Sequence, residues 1–486
     1  MIKWTTAYAF VWVFAFAVAA QPNVLFIAVD DLRPAMRCYG VKQAITPHMD
    51  QLAATGRLFN NHFVQVPTCG ASCHSMLTSR YPRKRSEIRN VISGTLMGVE
   101  SESARSMPEL FRKNGYTTVC IGKITHSSDG KKNGQSELPD AWDEMITPYG
   151  PWANFPTRLL HAYTEGRVKP YGAERNKGDE VYEPLYEFPE VGDSELPDGM
   201  LADTAIQRLG QFADSGQPFF MGVGFYKPHM PFVAPKKYKD LYDGVAFPSL
   251  YGMKRGDTRR IGQSNELWSY DTPFERPVGR QPISEEDAQE VRWAYHACVT
   301  YADAQIGRVL QALEDTGLAS NTIVVLWGDH GWHLGEHNAW AKHTPMNYSL
   351  RSSFIVRTPD QKLPGIPTES LAASLDIYPT LIDLCSLEER QTYLPLEGVS
   401  LKPVLLDPSA KARDEVLSFW FATSLNDGRY HLIVSENNGE LQHDLYDLRN
   451  DPGELKNIAA VNPGTVERLM EQLARVYPQI TLNMSE

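Results

Sequence analysis

The chain predicts an α/β fold in which a large, mostly parallel sheet is flanked by helices and followed by a smaller C-terminal α+β subdomain. Three observations predict it. Short apolar runs alternate with amphipathic helical stretches, as in parallel sheets covered on both faces. Two of those runs, Val24 to Val29 and Ile323 to Trp327, lead directly into polar pairs, Asp30-Asp31 and Asp329-His330. After Leu405 the pattern changes to short runs joined by turns. In open α/β sheets, functional groups gather beyond the carboxyl ends of the strands, so these two pairs can face one divalent ion.

Taken in order, strands are expected at 23–30, 116–121, 218–225 and 321–327, and helices at 47–56, 72–79, 104–114, 200–214 and 286–315. In the last helix Ala302, Ile306, Val309 and Leu313 recur at helical spacing. The stretches 127–197 and 230–285 are rich in Pro, Gly, Tyr and charge and read as long loops over the sheet edge, where specificity commonly resides. Glu415 to Phe421, Tyr430 to Val434 and Leu441 to Leu448 read as strands with a turn at Asn426-Asp427-Gly428, and 463–477 as a terminal helix. The expected organisation is therefore a signal peptide at 1–20, a catalytic α/β domain at 21–405 and a subdomain at 406–486.

The 486 residues carry 47 Lys plus Arg against 59 Asp plus Glu, a formal charge of -12. That excludes a nucleic-acid partner held by bulk electrostatics, so any anionic ligand must be gripped locally. An uncharged apolar stretch from Ala7 to Ala20, ending in small residues, has the form of a cleaved signal peptide and is short for a membrane span. The expected location is secreted or periplasmic, or lysosomal in a eukaryote, with no membrane attachment after cleavage. The six cysteines are too few and too scattered for a disulfide scaffold or a zinc pattern.

The segment Val66-Pro67-Thr68-Cys69-Gly70-Ala71-Ser72-Cys73-His74-Ser75-Met76-Leu77-Thr78-Ser79-Arg80 carries a family resemblance. So do Val29-Asp30-Asp31-Leu32-Arg33-Pro34, Ile121-Gly122-Lys123-Ile124-Thr125-His126 and Lys227-Pro228-His229-Met230-Pro231. Gly328-Asp329-His330-Gly331-Trp332, Trp340-Ala341-Lys342 and Asp376-Ile377-Tyr378-Pro379-Thr380 follow in the same order. The sequence resembles the formylglycine-dependent sulfatases, on their alkaline-phosphatase-like fold, and within them the iduronate-2-sulfatase group.

The resemblance implies that Cys69 is oxidised to formylglycine by a formylglycine-generating enzyme, and that the modified residue joins Asp30, Asp31, Asp329 and His330 around a metal. Hard oxygen donors suit Ca²⁺, with Mg²⁺ second. Lys123 and Lys342 would neutralise sulfate oxygens, His229 would protonate the leaving alcohol and His126 would assist sulfate release; the two histidine roles are interchangeable at this stage. Trp332 and His333 are expected in the pocket wall, and His74, His337 and His343 in structural roles. The implied reaction is hydrolysis of O-sulfate esters of a sulfated saccharide.

One position departs from the family. Cys73 stands where the motif has an arginine that guides the modifying enzyme and pairs with the site's carboxylates. The departure keeps open a silent, glycan-binding sulfatase-like protein. A phosphodiester or phosphonate ester hydrolase on the same scaffold is the alternative among enzymes. Cys69 and Cys73 lie one helical turn apart, which permits only a strained disulfide.

Overall fold

The computed structural model describes residues 21–89, 102–127, 131–132, 135–147, 184–249, 264–276, 282–388 and 391–477. The expected signal peptide lies outside the described residues, as do parts of both long loop regions.

The main sheet has eight strands among the described residues: β1 Asn23–Val29, β2 Arg57–Phe63, β3 Thr117–Gly122, β4 Glu144–Ile146, β5 Phe219–Phe225, β6 Thr322–Gly328, β7 Phe354–Arg357 and β8 Thr368–Ala373. Their spatial order is β8-β2-β7-β6-β1-β5-β3-β4, and all are parallel except β7, which runs antiparallel to β6 and β2. The principal helices are α1 Pro47–Thr55, α2 Cys69–Thr78, α3 Met107–Lys113, α4 Pro197–Ser215, α5 Glu285–Asp315, α6 Ile377–Cys385 and α7 Pro463–Val476.

Strand β1 shows why the sheet needs helices on both faces. Leu25, Ile27 and Val29 join one apolar core with α1, α4 and α5, while Val24, Phe26 and Ala28 join another with α2, α3 and α6. All seven residues of β1 are buried, so its continuous apolar run is that of a central strand rather than an alternating one.

A four-stranded antiparallel sheet, β9 Val416–Phe419, β10 Thr423–Asn426, β11 Tyr430–Asn437 and β12 Glu440–Asp447, packs with α7 near the C-terminus. The expected strand at 415–421 is thus shorter. The chain turns at Phe421, whose φ is 45°, and Thr423 starts a separate strand. This sheet reaches back to the N-terminal half: Val66, Ala71 and Ile88 share a core with Leu417, Phe419, Leu425 and Leu473. Phe419 N donates to Gln65 O at 2.7 Å, and Ser418 Oγ to Val64 O at 2.6 Å. The segment leading into α2 is therefore clamped between the two sheets.

Candidate active site

The central strands deliver the site. β1 and β6 are parallel neighbours with Val29 opposite Gly328, so Asp30-Asp31 and Asp329-His330 leave the sheet side by side. On the other flank of β1, β5 ends at Phe225 and leads to His229, and beyond it β3 ends at Gly122 and leads to Lys123. The last turn of these strands is tight. A Cβ on Gly224 would meet Lys123 O at 2.0 Å, so only glycine lets the Lys123 backbone lie there.

Asp31 adopts a left-handed conformation (φ 61°), which Asp tolerates better than most residues, and its backbone N–H donates to Asp329 Oδ1 at 2.8 Å. Cys69 is the first residue of α2, whose first turn is pinned when Ser72 Oγ donates to Asp329 O. Cys69 Sγ then sits 3.3 Å from His330 Nε2 and 3.3 Å from Lys342 Nζ. Lys342 Nζ is also 2.8 Å from Asp31 Oδ1 and lies over the Trp332 ring, 5.3 Å from its centroid. Lys123 pairs with Asp30 Oδ2.

His330 Nδ1 donates to the Gly331 carbonyl at 3.0 Å, which turns Nε2 into the cluster. Nε2 lies 3.3 Å from Asp31 Oδ1 and 3.4 Å from Asp329 Oδ2. Donor atoms of Asp30, Asp31, Cys69, Asp329 and His330, all buried, lie within 4.8 Å of one another. Asp30 Oδ1 and Asp31 Oδ2 are buried with no hydrogen-bond partner. Converging lone pairs and orphaned carboxylate oxygens are what a divalent cation satisfies, and the oxygen-dominated donor set fits one.

The electrostatics agree. Burial pushes Asp31 up to about 6, opposed by Lys342 and reinforced by Asp30. Burial also raises Asp329 well above the carboxylate range. Asp30 is held well below that range: burial works to raise it, but Lys123, His229 and Lys342 together prevail. Both lysines stay charged, since their carboxylate partners overcome burial. Burial and Asp30 push the Cys69 thiol up to about 12, so without a cation it is protonated at neutral pH and makes a poor nucleophile as it stands.

Eight of the nine residues singled out from the sequence converge here. His229 Nδ1 donates to Met230 O, which turns Nε2 toward Asp31 Oδ2 (4.0 Å) and Glu266 Oε1 (3.6 Å). The ninth, His126, is half-buried three residues beyond Lys123. Trp332 underlies Lys342 as expected. His333 does not line the pocket: it is fully buried with Nε2 2.9 Å from Thr344 Oγ1. His337 bonds Gly453 O at 2.6 Å, and His343 bridges Thr68 Oγ1 (3.2 Å) and Ser264 Oγ (3.0 Å), both structural. Cys69 and Cys73 are free thiols, so the strained disulfide does not form. Cys73 lies in the apolar core with Met76, Leu77 and Trp327.

Sequence reasoning missed Glu266, 3.2 Å from Lys342 Nζ, because it lies in a stretch with no periodic signal. It also missed Asp198, whose two oxygens accept from the backbone N–H groups of Tyr226 and Lys227 at 2.9 Å and set the path to His229.

A buried carboxylate cluster at the ends of central parallel strands, with a helix-borne cysteine and two lysines beside it, is an arrangement suited to metal-assisted hydrolysis of an anionic ester. The sulfatase family pattern matches residues 22–387, and the C-terminal pattern of N-sulphoglucosamine sulphohydrolase matches 335–479. The chain belongs to the sulfatase family, whose chemistry is the hydrolysis of sulfuric esters. Iduronate 2-sulfatase of Mus musculus is 31% identical over 398 residues, covering 75% of this chain and 69% of that protein. A sulfatase of Formosa agariphila is 30% identical over 461 residues, covering 90% and 83%. Among solved structures, one in complex with its substrate D-glucosamine-2-N,6-O-disulfate superposes with a TM-score of 0.71 at 20% identity, covering 96% of this chain and 100% of that one. The phosphonate monoester hydrolase of Agrobacterium radiobacter gives 0.73 at 22%, covering 94% and 96%; at such identities the likeness is one of fold.

Proposed function

We propose that this sulfatase hydrolyses O-sulfate esters of a sulfated saccharide, with formylglycine derived from Cys69 and a Ca²⁺ ion, or Mg²⁺ in its place, held by Asp30, Asp31, Asp329, His330 and the modified Cys69. The observation that carries this is the position of Cys69 Sγ, 3.3 Å from both His330 Nε2 and Lys342 Nζ at the rim of the carboxylate cluster. The saccharide is supported by relatives such as iduronate 2-sulfatase and by the glucosamine disulfate complex.

A hydrated formylglycine supplies one hydroxyl as nucleophile and a second for expelling sulfate, and the cation supplies Lewis acidity that neutralises sulfate charge. The chain's own groups do the rest. Lys123 and Lys342 grip sulfate oxygens from two sides, in a buried setting where ammonium groups act strongly. His229, whose pKa burial and Lys342 hold well below the usual value, has its ring fixed by Met230 O and serves as proton donor from Nε2 once the anionic sulfate ester favours the doubly protonated ring, and His126 assists sulfate release.

Residues 21–405 carry this chemistry, while 406–486 brace the Cys69 segment. Maturation requires a formylglycine-generating enzyme, and the apolar stretch at 7–20 directs export. The test is turnover of sulfate, phosphate and phosphonate esters at equal concentration by the co-matured protein and its Cys69→Ala variant. Sulfate release from a sulfated saccharide that disappears in the variant is expected. Faster phosphate or phosphonate turnover, or glycan binding with no hydrolysis, would reverse the reading.

A further inference from the structure

The stretch Ser264 to Tyr270 touches both halves of the site. Ser264 Oγ lies 3.0 Å from His343 Nδ1, next to Lys342, and also accepts from Glu266 N at 3.2 Å. Tyr270 OH donates to Met230 O at 3.2 Å, next to His229. Leu267 and Tyr270, both buried, root the stretch in the core. Between these anchors Glu266 Oε1 faces Lys342 Nζ at 3.2 Å and His229 Nε2 at 3.6 Å.

Lys342 has two carboxylate partners, and they differ in kind. Asp31 belongs to the metal-binding cluster, so a bound cation competes for its oxygens. Glu266 lies outside that five-residue group, in a separate set with Asp31 and His229, and its Oε1 faces the ammonium directly. We propose that Glu266 is a positioning residue, holding Lys342 and His229 at the separation one sulfate ester needs. A lysine with a flexible four-carbon stem gains reach but not aim from its own backbone, so an external carboxylate supplies the aim.

This rests on the sulfate-ester reading only in its kinetic arm. Four proteins are compared: the co-matured parent, Glu266→Ala, Glu266→Gln and, as control, Asn265→Ala, whose wild-type side chain accepts from Arg276 in the same stretch. In Ca²⁺-loaded crystals of Glu266→Ala the Lys342 ammonium is expected to leave residue 69. In turnover Glu266→Ala is expected to lose kcat by ~10- to 100-fold with KM changed less than about threefold, while the near-isosteric Gln, which can still accept from Lys342, recovers part of the loss. Lys342 unmoved in the crystal overturns the proposal whether or not the parent turns over; so does unchanged kcat in Glu266→Ala, or a loss confined to KM. A parent with no sulfate release would sink the sulfatase reading while the crystal still decides the role of Glu266.

Discussion

At Lys342 three partners meet on one ammonium: Asp31 Oδ1 at 2.8 Å, Glu266 Oε1 at 3.2 Å and Cys69 Sγ at 3.3 Å. A preorganised cation of this kind acts where charge develops, so Lys342→Ala is expected to lower kcat by ~100-fold, read from steady-state kinetics; an unchanged kcat would remove Lys342 from the chemistry. Cys73 sets the opposite expectation. Cys73→Arg restores the family's arginine and should raise both conversion of Cys69 and sulfate release; equal activity in the two forms would show that the arginine is dispensable here. The two polar pairs proposed as metal ligands were legible as a cluster because each follows an apolar strand run, and Cys69 because of the motif around it. Glu266 was not legible. It reaches the site from far along the chain, and its only sequence context is a Pro- and Gly-rich stretch.

The ends of β3 and β5 show how elements govern the site. Gly224 lies against the Lys123 backbone, and any Cβ there must push that strand end away. Gly224→Ala is expected to cost about 1–3 kcal/mol of stability in urea unfolding, as overpacking does, and to lower kcat by displacing Lys123. Full stability with full activity would mean that the strand end yields freely. The long, continuous elements β1, β5, β6 and α5 were legible from burial pattern and length. β2, β7 and β8 were not: β2 has half-buried Asn60 and Asn61 at its centre, β7 is only four residues long, and β8 carries an irregular register against β2. α2 was expected to begin at 72 but begins at Cys69, because the flanking sheets hold its first turn where local propensity alone does not.

For the molecule as a whole, buried histidines and the buried carboxylate cluster set how stability responds to conditions. His62 lies in the core between Ser352 Oγ (2.9 Å) and Ser374 Oγ (3.2 Å), and burial pushes its pKa from 6.5 down to about 3. The unfolded chain therefore binds a proton below about pH 6.5 that the folded chain refuses until about pH 3, so this group's stability contribution falls on acidification through that window. His62→Gln should lose less stability than the parent between pH 6.5 and 4, by roughly 1.4 kcal/mol per pH unit; identical pH slopes in calorimetry would contradict it. Chelation should lower the Tm, since a cation at one hundred times its Kd stabilises the folded state by about 2.7 kcal/mol; a Tm insensitive to Ca²⁺ and chelator would argue against the cluster as a metal site. Everything in the proposed chemistry passes through Cys69, whose thiol pKa burial and Asp30 push up to about 12. Mass spectrometry of the tryptic peptide Leu58 to Arg80, from protein produced with a formylglycine-generating enzyme, is the direct test. The expected result is conversion of the Cys69 side chain from CH₂SH to CHO with Cys73 intact. An unmodified thiol at Cys69 in protein that still releases sulfate, or in protein that releases none, would contradict the formylglycine mechanism for this chain.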